Sequence, residues 1–399
     1  MLRSRPIAAR ARRAAVYGMV PALLAGAVTA WFVARPLAPH RLTRQAQSSP
    51  LAGAVSGKSV ATASSAFSTA VIRHYGLPAN ASGYSVIVVT GPEQGWAFGG
   101  TNPGGPSAPV ATWWNGDTTA TAHLPGGLTS FISDASATSS SDIWAVSEHG
   151  RYVLHFDGVH WRVARRWQQG QVTGLTAVTP SDLWVFGTSA DGTSDIGTWH
   201  YDGVSWQRVP GLAGSIVRAS AISSSDIWAI AASPASYSVV RYDGANWQQV
   251  PTGSALDGMH VRDILAISGS DVWVLGDKTD AVGGVHLVLL NWNGARWSGV
   301  VAPISAWAGR LAPGPDRTVL ATATPASASA SGLIVQASAD GSRLVVTPRS
   351  RLSTGGISDV ALAGHARMLW VSGAVLTRIG GDAVIWSSRL PPAGARVGA

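Results

Sequence analysis

The chain contains no cysteine in 399 residues. Disulfides, thiolate nucleophiles and cysteine-bound metals are therefore excluded, and the fold must be held by its core. Charge is also scarce, at 13% of residues, with Lys58 and Lys278 the only lysines and Glu93 and Glu148 the only glutamates. General acid–base chemistry draws on paired carboxylates or a poised histidine. His149, His155, His160, His200, His260 and His286 are scattered, and no spacing marks a nucleophile, base and orienter. Amphipathic helical periodicity is missing between the short apolar runs, which argues against a parallel α/β fold.

The formal charge of +8 first suggests a nucleic-acid partner. Its position removes that suggestion. Arg3, Arg5, Arg10, Arg12, Arg13, Arg35, Arg41 and Arg44 carry it, residues 1–44 hold no acid, and the rest of the chain is neutral. No nucleic-acid partner is expected. The arginines flank an uncharged apolar run, Ala14 to Ala34. About 20 such residues span a bilayer as a helix, and a preceding basic block orients the N-terminus to the cytoplasm. The expected organisation is a basic cytoplasmic segment at 1–13, a transmembrane anchor at 14–34, a flexible Ala/Ser/Gly linker at 35–80, a folded body at 81–390 and a disordered tail at 391–399. The alternative is cleavage near Ala30, where small residues are spaced for a signal peptidase. Within the linker, Ala66 to Tyr75 reads as a strand that would pair with the body and latch its ends.

What the chain has in excess is glycine, 46 residues, and tryptophan, 18 residues. A repeat explains both. Ser-Asp-(Ile/Leu/Val)-Trp recurs at Asp142–Trp144, Asp182–Trp184, Asp226–Trp228 and Asp271–Trp273. Each copy is followed by a turn and a second tryptophan: Asp157-Gly158 with Trp161, Asp202-Gly203 with Trp206, Asp243-Gly244 with Trp247, and Asn293-Gly294 with Trp297. Weaker anchors stand at Trp96, Val319 and Trp370, and weaker turns at 115, 340 and 380. Both marks therefore count seven, at spacings of 40 to 51 residues. That period is the one expected of four-stranded propeller blades. Each copy divides into four short strands, the first of them made of small residues such as Ala219-Ser220-Ala221, as an inner strand crowding an axis requires. Asp-Gly reads as a two-residue hairpin with positive φ at both central positions. The fold expected is an all-β, seven-bladed propeller of four-stranded antiparallel blades behind one N-terminal transmembrane helix, with Ile385-Trp386 closing the seventh copy.

The pair S-x-x-D-[ILV]-W and [HR]-[FY]-D-G-x-x-W resembles the repeats of exported bacterial propeller proteins of galactose-oxidase-like or kelch-like type. The resemblance runs over about residues 83–390, strong in four copies and degraded in three. It implies the fold and says little of activity, because propellers host unrelated functions. The copper ligands and Cys–Tyr link of galactose oxidase have no counterpart without cysteine. The sialidase box and the GH…WD signature of WD40 blades are absent.

Tryptophans repeated in every blade read as interblade core rather than a sugar-stacking row. Asp142, Asp182, Asp226 and Asp271 are expected to accept backbone amides in the turn between the first two strands. Ligand contacts are sought where the copies differ: Arg165, Arg166, Trp167 and Gln168 break the apolar pattern and suit a sugar or acidic group. Asp191 and Asp195 lie in a variable loop. No metal site or cofactor is expected. A rigid ring with variable loops points to an extracellular binding module for a glycan, peptide or cell-envelope component. The alternatives are a glycosidase, lyase or oxidase with its site at the central channel, and the sensor or assembly part of an envelope complex.

Overall fold

Short strands with tight turns fold here into seven antiparallel sheets of four strands each. The computed structural model describes residues 71–74 and 82–390, apart from the loop positions 102–107, 117, 148–151, 189–195, 211–214, 234–235, 303, 327–331, 342–344, 347–354, 365–366 and 378–379. The segment 14–34 lies outside the described residues. Among those described, no helix is long and apolar enough to cross a membrane.

Blades 1 to 6 begin at Ser82, Ile132, Gln171, Ser215, Met259 and Ala306. Each runs outward in chain order, and the first strands touch one another in a closed cycle, so they line the axis. Blade 7 differs. It holds Gly355–Ala363, Met368–Thr377 and Gly380–Arg389 from the C-terminal end, and its outer strand is Val71–His74. Val71 pairs with Ser387 and His74 with Val384. Two expectations change. The turn at 380 joins the second and third strands, and Ile385-Trp386 lies within the third strand, so the last copy supplies only three strands. The strand Val71–His74, inside the stretch read as linker, thus belongs to the folded body, as the latch expected at Ala66 to Tyr75 requires. A chain beginning at 81 leaves the Gly380–Arg389 edge unpaired. Its expected loss, at about 1 kcal/mol per hydrogen bond, is on the order of 2–4 kcal/mol, with self-association through the bare edge. Melting curves and sedimentation of chains starting at 66 and at 81 measure both effects; identical behaviour would remove the latch.

Seven apolar clusters fill the seams between neighbouring blades. Trp96, Trp144, Trp184, Trp228, Trp273 and Trp370 are all buried. Each reaches the blade that follows it; Trp273, for example, packs with Ala306, Val319 and Val335. The corresponding residue of blade 6 is Leu320, not Val319, since Leu320 pairs with Gln336 as Trp184 pairs with His200. Trp161 is buried, while Trp206, Trp247 and Trp297 are half-buried and face back toward the preceding blade.

The turn chemistry also departs from expectation. Only the glycines take positive φ, 94° at Gly158, 90° at Gly203, 96° at Gly244 and 90° at Gly294. The aspartate carboxylate replaces the second left-handed residue by capping amides: Asp202 Oδ1 accepts from Val204 N at 2.9 Å and from Ser205 N at 2.7 Å. A Cβ on Gly203 would stand 2.6 Å from Ser181 Cβ, so glycine lets the outer hairpin close onto the Ser-Asp turn beside it.

Asp142, Asp182, Asp226 and Asp271 bind side chains of the third strand rather than turn amides. Asp142 meets His155 at 2.7 Å, Asp182 meets His200 at 2.9 Å, and Asp226 takes Arg241 in a bidentate pair at 2.7 and 2.9 Å. Asn291 donates to Asp271 at 2.9 Å. His155 and His200 stack on Trp144 and Trp184. The repeated aspartate thus fixes a polar cap over the anchor indole, because strands two and three place its third-strand partner directly opposite the tryptophan two residues on.

Candidate functional site

Every first strand carries a bulge near the end that faces the variable loops. A bulge re-aims the residue after it. Around the ring that position holds Val86, Asp134, Gly174, Arg218, Asp263 and Asp359, and in blade 6, where the irregularity spans Gly309 and Arg310, Arg310 stands in the corresponding place before Leu311. Five charges therefore converge on the axis.

Three carboxylates hold the next blade by its backbone. Asp134 accepts from Leu175 N at 3.1 Å, Asp263 from Leu311 N at 2.7 Å and Asp359 from Ile87 N at 3.0 Å. Gly174 makes room for this bracing, since a Cβ there would meet Asp134 Oδ2 at 2.9 Å. Arg218 reaches back to Thr173 O at 2.5 Å. Arg310 goes furthest. From blade 6 it donates to Ser133 O of blade 2 at 2.8 Å and lies 3.4 Å from Asp134. Blades 6 and 2 are on opposite sides of the ring, so this side chain crosses the axis. Burial disfavours its charge, but Asp134, Asp263 and Asp359 outweigh that and raise its pKa.

Burial pushes the Asp359 carboxyl up to about 7, against partial relief from Arg310 and the Ile87 and Val360 amides. Burial also raises Asp263. A carboxyl with a higher pKa folded than unfolded favours the fold in its neutral form. The contribution of these two carboxyls to stability is therefore fully present below about pH 4, and that of Asp359 is lost as pH rises toward and through 7. At about 1.4 kcal/mol per unit the upper limit from Asp359 is about 4 kcal/mol. The side chain borders the axial channel, and solvent there reduces the effect. The expected result is a falling melting temperature between pH 4 and 8 that is flattened in Asp359→Asn; equal slopes in both proteins would refute the assignment.

A second polar group sits on the loop-bearing face at blades 4 to 6. Asp277, only 2% exposed in its side chain, accepts from Ala308 N at 3.1 Å. Arg262 Nε and His260 Nδ1 each stand 3.7 Å from this carboxylate. Tyr237 lies with its ring centroid 6.4 Å from that of His260, and burial raises its hydroxyl pKa. One residue from the anchored amide is Trp307, 42% exposed. It alternates with Ala306 and Ala308, which face the seam with blade 5, so its indole projects from the other side of the strand.

The outer-rim residues are placed differently from the sequence reading. A bulge between the pairs of Val153 and Leu154 turns Arg165 inward, over Trp199 at 4.1 Å, Trp167 at 5.1 Å and Trp206 at 5.4 Å. Trp167 is buried. The chain's own indoles thus cover the stacking surface expected to meet a ligand. Arg166 is exposed and lies over Tyr152 at 5.3 Å, and Gln168 is exposed. Asp191 and Asp195 fall outside the described residues. On the opposite, turn-bearing face, a cavity of about 420 Å³ lies between blades 6 and 7 beside the Arg367–Asp316 ion pair. Asp316, Arg317 and Arg367 hold positive φ there.

These observations define a seven-bladed β-propeller with a braced, charge-filled axis and a polar patch on its loop-bearing face. No protein-family model and no curated protein matches the chain. Solved structures do. YCF48 bound to a D1 peptide is 14% identical, with a TM-score of 0.57 over 83% of this chain and 100% of that one. A catalytically inactive virginiamycin B lyase from Staphylococcus aureus with quinupristin is 12% identical, with a TM-score of 0.54 over 80% and 99%. An extracellular domain of a hybrid two-component system from B. thetaiotaomicron is 14% identical, with a TM-score of 0.54 over 81% of this chain and 40% of that one. At such identities the likeness establishes the fold alone.

Proposed function

We propose that this chain is a membrane-tethered bacterial propeller, of the exported kelch-like kind its repeats resemble, whose loop-bearing face binds a peptide or protein segment outside the cell. The observation that carries the reading is the fate of the axial charges. Asp134, Asp263 and Asp359 hold neighbouring blades, and Arg310 spans the passage, so the axis is a scaffold. The loop-bearing face instead presents the His260–Arg262–Asp277 set at the seam of blades 5 and 6 and, from the other side of the first strand of blade 6, the exposed Trp307, an aromatic and polar groups that suit recognition. A propeller neighbour solved with a peptide supports this class of partner. The apolar run at 14–34 supports the tether, and a glycan or envelope component remains within the same reading.

A second reading is a lyase or hydrolase, favoured by the histidine–carboxylate pair His260–Asp277 on the same face. Peptide and glycan arrays probed with the full-length chain, run beside a lyase and hydrolase panel, separate the two. We expect array binding that falls at least tenfold in Trp307→Ala with the melting temperature unchanged. Turnover without binding would replace the favoured reading by the enzymatic one. Protease protection in intact cells tests the placement: the body is cut from outside, and a shielded body would end the tether proposal.

A further inference from the structure

We propose that Arg262 and His260 form a receptor for an oxyanion carried by the ligand, at the seam of blades 5 and 6 on the loop-bearing face. This rests on reading that face as the binding face. Arg262 occupies the bulge position of its strand. In the other blades that position holds Ser85, Ser133, Thr173, Val217 and Ser358, and in blade 6 Gly309 with Arg310, whose guanidinium is committed to Ser133 O and Asp134 across the axis. The short hydroxyls serve the ring: Ser85 donates to Ile132 O and Thr173 to Ile216 O at 2.7 Å. A long cation is not needed for that task.

Nor is Arg262 satisfied among the described residues. Its side chain is 18% exposed, and among those residues its enclosed Nε has no hydrogen-bond partner. The nearest carboxylate oxygen is 3.7 Å away, beyond hydrogen-bond reach. Arg241, by contrast, closes on Asp226 at 2.7 and 2.9 Å. Asp277 is shared with His260, itself 41% exposed, and already accepts the Ala308 amide. Two donors thus face one committed acid. A guanidinium has five donors in a planar fork that matches a carboxylate or phosphate. Tyr237 adds a protonated hydroxyl nearby.

The test titrates the full-length chain in detergent micelles with sodium phosphate and with sodium acetate at constant ionic strength, read by tryptophan fluorescence and melting temperature. Wild type should saturate with at least one anion. Binding should weaken at least tenfold in Arg262→Gln, stay intermediate in Arg262→Lys, and be unchanged in Arg296→Gln, an exposed arginine on the turn-bearing face. Saturation by phosphate alone assigns a phosphoryl ligand, and saturation by acetate as well assigns a carboxylate. No saturation in wild type, or equal saturation in Arg262→Gln, overturns the site. If Arg262→Gln melts early, His260→Gln takes its place with the same expected weakening. Array binding that persists in Arg262→Gln removes the oxyanion site and leaves the binding face standing. Array binding lost in wild type while anion saturation remains does the reverse.

Discussion

Arg310→Met is expected to lower the melting temperature by on the order of 10 °C at pH 8. Removing one partner of a buried ionic cluster leaves the others uncompensated, typically at about 3–5 kcal/mol. Asp134, Asp263 and Asp359 all face this guanidinium, and the bond to Ser133 O across the axis is lost with it. In a domain of this size 1 kcal/mol moves the midpoint by roughly 2–4 °C. The deficit should shrink at pH 5, because Asp359, whose carboxyl burial pushes up to about 7, takes up a proton there and no longer needs the cation. Calorimetry at both pH values reads the effect. A variant that melts like wild type at pH 8 would show that Arg310 braces nothing.

Trp273→Ala should be of comparable size, about 3–5 kcal/mol, as for other buried aromatics truncated to alanine. The indole is fully buried between Leu287 and Leu289 of its own blade and Ala306 and Val319 of the next. Its Nε1 donates to Asp271 at 2.8 Å, so the change also strips a partner from the polar cap. Trp307→Ala, at an exposed position, should stay within about 0.5 kcal/mol. The contrast between the two substitutions, followed by urea titration, separates seam from platform. Equal losses would deny the seam its special status.

The blades were legible in the sequence because the same residue types recur at fixed offsets. Asp142–Trp144 and Asp157-Gly158 announce one blade, and their copies announce the next. Blade 7 was misread because Gly380-Gly381 imitates the outer hairpin while joining the second and third strands. The fourth strand lies some three hundred residues upstream, within the Ala66 to Tyr75 stretch that reads as a latch, but nothing local assigns it to this blade. The axial charges are hard to read in the sequence for the opposite reason: one structural position carries valine, glycine, aspartate or arginine. A signal was present. Asp134, Arg218, Asp263 and Arg310 each stand ten residues before Trp144, Trp228, Trp273 and Leu320, charges set inside runs of small residues. Arg165 misled because its exposure depends on a bulge and on three indoles from two blades. Arg262 and His260 become neighbours of Asp277 only when the strands of blade 5 pair.

The stitching of Val71–His74 onto Gly380–Arg389 has a kinetic consequence. The first of the described strands cannot find its partner until Gly380–Arg389 has left the ribosome. Closure is therefore the most non-local of the described strand pairings, and non-local pairing is slow. Until then an intermediate with two bare sheet edges must persist, open to mispairing with other chains. A chain interrupted shortly before its end would be left in that state permanently.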